Sequence, residues 1–123
     1  MAKEIRIKRV ESLIRSDISN IIQNELREEG IKGIVSVFDI QISKDLRYAN
    51  VKISIFSEDE GSLKSTIISL IKAKSFIRRR LSKLLRTMYV PEIHFEFIDL
   101  SESMRVYKIL EEIEKKEKKD EDN

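Results

Sequence analysis

The 123 residues include 24 Lys and Arg, 22 Asp and Glu, a single His and no Cys, with 41% of positions apolar and 37% charged. That length holds one domain with a modest core, and the share of Ile, Leu and Val marks a folding chain with a heavily charged surface. The absence of Cys removes disulfide and thiolate chemistry, a lone His does not build a zinc site, and no apolar run reaches the roughly 18 residues of a membrane span; the expectation is a soluble cytoplasmic protein with no cofactor, no metal and no membrane partner.

From Val10 onward the apolar positions Val10, Leu13, Ile14, Ile18, Ile21, Ile22 and Leu26 recur at i, i+3 and i+4, which predicts an amphipathic helix, with Gly30 as its C-cap. "IVSVFDIQIS" and "YANVKISIF" are rich in Val, Ile and aromatic residues, and Ala49, Val51, Ile53 and Ile55 alternate with polar neighbours. The intervening "KDLR" has turn character, so the pair reads as an antiparallel hairpin. "SEDEGS" is a solvated loop leading into a helix N-terminus, where acids are favourable.

Apolar residues at helical spacing continue from Leu63 to Met88, and an unbroken helix does not accommodate them. At about 100° per residue, Lys74 would fall in the middle of the apolar face and Phe76 would point into solvent. An interruption over Ala73, Lys74 and Ser75 removes both conflicts, with Ser75 as N-cap of a second helix that starts at Phe76 and buries Ile77, Leu81, Leu84, Leu85 and Met88. Pro91 marks a boundary, and "EIHFEF" alternates as a third strand with Ile93, Phe95 and Phe97 on one side. A short helix is expected over 102–113 with Met104, Tyr107, Leu110 and Ile113 on one side, and the charged stretch 114–123 is expected to be a disordered tail. Because each element has one apolar face to bury, the order gives a single α+β domain, a three-stranded sheet with helices on one face.

Charge is unevenly placed. Residues 61–91 carry eight Lys and Arg and no acid, whereas residues 92–123 carry six bases against eleven acids. No glycine-rich phosphate loop, nucleophile elbow or His–carboxylate pair on one helix is present, so the reading is non-catalytic. The basic segment instead suits a polyanion: Arg79, Arg80, Lys83 and Arg86 project outward together, Arg78 lies at the border, and Lys72 and Lys74 flank the break. An amphipathic helix in a membrane surface would need the apolar side for lipid, and here the core needs it. RNA is the expected partner, held through backbone contacts, because exposed aromatic residues for stacking are few. Two other readings stay open at this point, a different RNA partner and an acidic protein.

The order helix, strand, strand, helix, helix, strand is that of the type II KH domain, although the chain has no GXXG loop. "AKS" at the break, followed by "FIRRRLSKLLR" and "YVPEIHFEF" and preceded by "ISKDLRYANVKIS", resembles the bacterial ribosome-binding factor A family. In that family an Ala-x-Gly kink replaces the loop. The resemblance covers about Val10 to Asp99, with an echo in "SMRVYKILEEI". It implies a KH-like RNA-binding domain over 1–100, an accessory helix over 101–113, and a monomer that binds the free small (30S) ribosomal subunit and its 16S rRNA and assists late maturation without catalysis. Ser75 stands where the family has the kink glycine, so a bend that needs positive φ would be costly here.

Overall fold

The protein, described by a computed structural model for residues 2–26, 30–85, 90–100 and 104–121, is built on three strands: β1 (Ile34–Ile42), β2 (Tyr48–Phe56) and β3 (Glu92–Asp99). β2 is central, antiparallel to β1 and parallel to β3. Alternation assigns the faces: Ala49, Val51, Ile53 and Ile55 are fully buried and joined by Val35, Ile40, Ile42 and Ile93, while Ile34, Tyr48, Phe56 and Ile98 remain exposed on the other side. A bulge between Val37 and Asp39 resets the alternation of β1. The expected hairpin is present, and its turn is tied by Asp45, which accepts from the Ser43 hydroxyl and the Arg47 N–H. These bonds hold the Asp45 carboxyl below its ordinary pKa.

Helix α1 (Ala2–Asn20) lies against β1 and buries Val10, Ile14 and Ile18, while Leu13, about 100° from Ile14 around the helix, is exposed. It then passes into a π turn over Ile21–Glu25, closed by the Leu26 N–H on the Ile21 carbonyl at 3.1 Å. The wide turn has a packing reason. A regular helix would bring Glu25 to within about 20° of Ile14, into the core, and carry Leu26 about 120° away. One extra residue in the turn swings everything after it back by about 100°, which buries Leu26 and moves Glu25 to the border. Three side chains of this segment bind backbone groups of β1: Glu11 accepts from the Ile42 N–H, Arg15 donates to the Phe38 carbonyl, and Gln23 donates to the Val35 carbonyl. An edge strand engaged in this way is poorly available to another chain.

Helix α2 (Glu60–Lys72) is capped by Asp59, whose carboxylate accepts from the Ser62 N–H at 2.7 Å and the Ser62 hydroxyl at 2.9 Å. Leu63, Thr66, Ile67 and Leu70 form its buried side. The buried Thr66 hydroxyl binds both the N–H and the carbonyl of Lys32, fixing the entry to β1. There Gly33 takes φ +93°, and a Cβ on it would stand 2.4 Å from the Phe56 carbonyl oxygen. After the break follows α3 (Lys74–Leu85), which packs on α1 and β3. It begins two residues before the expected Phe76, and Leu84, assigned above to the buried side, is 42% exposed. Met88, also assigned there, lies outside the described residues.

The last helix, α4 (Met104–Glu121), differs most from expectation. It continues through 114–121, where the sequence suggests a disordered tail, and its buried residues are Val106 and Ile109, whereas Tyr107 and Leu110 face solvent. Both sets of positions have helical spacing; the electrostatics of the docking site choose between them. Arg105 reaches the fully buried Asp99 carboxylate through two bonds of 2.7 and 2.9 Å and donates a third to the Ser57 carbonyl, which turns the neighbouring Val106 and Ile109 onto the core. Lys64 to Glu112 and Lys108 to Glu60 tie the same helix to α2. No helix among the described residues is long and apolar enough to cross a membrane.

Replacing Arg105 by Met leaves the buried Asp99 carboxylate without its guanidinium and is expected to cost about 3–5 kcal/mol in urea unfolding, part of which returns when Asp99→Asn is added. The Asp59 caps lower its carboxyl pKa, chiefly through the Ser62 N–H, so their stabilisation is present above the ordinary 3.8 and fades as pH falls through the lower folded value. Asp59→Ala should therefore reduce the melting temperature at pH 7, with the difference from wild type closing in strongly acidic buffer.

Candidate nucleic-acid interface

The break between α2 and α3 is a single residue. Ala73 keeps right-handed torsions, φ −79° and ψ −5°, sends its N–H back to the Ser69 and Leu70 carbonyls, and receives the Ile77 N–H on its own carbonyl at 2.9 Å. This small offset resolves both conflicts noted in the sequence. Lys74 is half-buried, with its ammonium 5.6 Å from the centroid of the Phe95 ring, a cation–π distance, and Phe76 packs against the core edge. Ser75 is exposed within the first turn of α3 and does not act as the cap the sequence suggested. Positive φ at a non-glycine residue occurs, among the described residues, at Leu46, so the bend does not require the left-handed conformation that Ser would resist.

The expected binding residues separate into three groups. Lys72, Arg78, Arg79 and Lys83 are exposed, with Arg78 leaning 3.5 Å from the Val90 carbonyl and Arg79 and Lys83 directed away from the core-facing Ile77 and Leu81. Lys74 lies against Phe95 at the edge of the sheet. Arg80, expected to stand free beside Arg79, is instead half-buried and bonded to Glu25 at 2.8 Å, with its guanidinium carbon 6.0 Å from the Phe76 ring centroid. Arg86 lies outside the described residues.

Glu25 is the member of this site that sequence reasoning missed, although a signal existed: like Lys74, it is a charge falling on the apolar stripe of a straight helix. The misfit of Lys74 on a straight helix marks the break, and the misfit of Glu25 marks the π turn in the same way.

With no acid of its own, α3 exposes cations over two turns, and Lys83 near its end also suits the negative pole of the helix. Such a face attracts phosphate at long range and loses that attraction as salt screens it. Beside it, a groove of about 800 Å³ runs along α2 to the break, bounded by Glu25, Lys64, Lys72 and Phe76. The exposed aromatic pair, Tyr48 and His94 at 5.4 Å, is on the open face of the sheet, away from α3. The interface is therefore suited to holding a phosphate backbone more than to stacking bases.

Residues 6–113 match the family model described as "Ribosome-binding factor A". A ribosome-binding factor A of Acetivibrio thermocellus is 40% identical over 91 residues, 74% of this chain and 73% of that one, and one of Clostridium acetobutylicum is 36% identical over 121 residues, 98% of each. The fold is also that of a homology model of the Thermus thermophilus ribosome-binding factor A fitted into a cryo-electron microscopy map of a 30S complex, with a TM-score of 0.56, 23% identity and coverage of 71% of this chain and 89% of that one.

Because Ser75 sits in ordinary helical geometry, Ser75→Gly is expected to destabilise the domain by about half a kcal/mol in chemical denaturation, the helix penalty of glycine, and not to relieve strain.

Proposed function

The chain belongs to the ribosome-binding factor A family, and from that premise we propose that it is a non-catalytic assembly factor. It works in the cytoplasm as a monomer, binding the free small ribosomal subunit through 16S rRNA and assisting late maturation and rRNA processing. The observation that carries this reading is the exposed cationic side of α3, with Arg78, Arg79 and Lys83 outward and Lys72 across the break. The guanidinium fork pairs with phosphate oxygens in a bidentate manner, and the ammonium groups add point charges along the strand. Recognition by backbone and shape fits a factor that meets folded rRNA, whose helices present phosphate and 2′-hydroxyl groups more readily than base edges.

Arg79→Glu with Lys83→Glu reverses two exposed charges of α3 without touching a core residue. This variant should keep the wild-type circular dichroism spectrum and fail to co-sediment with free small subunits, and wild-type binding should weaken steeply with added NaCl. Unchanged co-sedimentation would place the contact elsewhere. Migration of the wild-type protein outside ribosomal fractions in a sucrose gradient would instead indicate a different RNA partner.

A further inference from the structure

We infer that Glu25 is an internal competitor for the RNA backbone: its carboxylate occupies Arg80 in the free protein and thereby limits how tightly the cationic face holds its partner. This rests on the reading of α3 as the RNA-binding face. Three observations carry it. Arg80 is the cation of α3 that meets an acid from another element, at 2.8 Å, while Arg79 and Lys83 have no ionic partner among the described residues. The acid stands there because of the π turn, an irregularity that the core requires in order to bury Leu26 and that delivers Glu25 to the border facing α3. Glu25 is also open to solvent, at 33% side-chain exposure, and bounds the same groove as Lys72, so a strand crossing from α3 towards Lys72 passes its carboxylate.

The energetics allow exchange. An ion pair this exposed contributes little to folding, so an incoming phosphate can displace the carboxylate from Arg80 without unfolding anything. The displaced carboxylate then remains beside the phosphate and repels it. Glu25 thus acts twice against binding, first by neutralising a guanidinium and then by adding a like charge at the edge of the contact.

The test measures binding of free small subunits by the full-length chain across a NaCl series, for wild type, Glu25→Gln, Glu25→Ala, the double variant Glu25→Gln with Arg80→Gln, and Arg79→Gln. Glu25→Gln and Glu25→Ala should each tighten binding about three- to tenfold and steepen the salt dependence by close to one ion, and most of that gain should vanish when Arg80 is also replaced. Unchanged or weaker binding in both Glu25 variants overturns the inference, as does a gain of equal size in the absence of Arg80. Arg79→Gln reports on the underlying reading: if it binds like wild type, the face itself is wrongly assigned and the role of Glu25 falls with it. If Arg79→Gln weakens binding and the Glu25 variants do not tighten it, only the role of Glu25 is lost.

Discussion

Everything in this domain is arranged around one sheet face. Ala49, Val51, Ile53 and Ile55 are fully excluded from water, and the helices achieve that from a single side while the opposite face of β2 stays partly open. Burial of aliphatic side chains is the main favourable term in folding, so each helix is obliged to keep its apolar stripe aimed at that one layer along its whole length. Straight helices with this sequence cannot do so. The α1 segment would drive Glu25 into the core, and the α2–α3 segment would drive in Lys74, each an unpaired charge whose burial is costly.

The chain solves the same problem twice by opposite means. In the first helix a turn is widened by one residue, closed from Leu26 to Ile21; in the second a single residue, Ala73, steps out of helical register while still exchanging hydrogen bonds on both sides. Both devices keep the apolar positions on the core and move a charge to the rim. The rim is where the two devices meet, since Glu25 from one reaches Arg80 from the other. The irregular points of the backbone therefore also decide which cations of α3 stay available and which is occupied.

Charge elsewhere in the molecule follows burial more closely than sequence position. Arg105, outside the basic segment, spends its guanidinium on a carboxylate that has no access to water, and this bond fixes the rotation of α4. Lys64, within the acid-free segment, has its charge engaged by Glu112. A count of bases over residues 61–91 thus overstates the charge available to a partner, whereas the exposed residues Arg79 and Lys83 represent it directly.

Much of this was legible in the sequence, for local reasons. Alternation of apolar and polar residues sets the faces of strands, and Ala49 to Ile55 reads the same in sequence and structure; the conflict between Lys74 and Phe76 found the break at Ala73 but extended it two residues too far, and the absence of acids marked α3 as the cationic element. Tertiary structure alone decided matters in which two local solutions were equally good. Val106 with Ile109 and Tyr107 with Leu110 both satisfy helical periodicity, and the buried Asp99 chose the first. Helical position already brings Arg80 nearer the apolar side than Arg79, and the approach of Glu25 on a widened turn gave Arg80 its ionic partner. Periodicity ranks positions within an element; partners, rotations and free charges are set by what the neighbouring element brings to them.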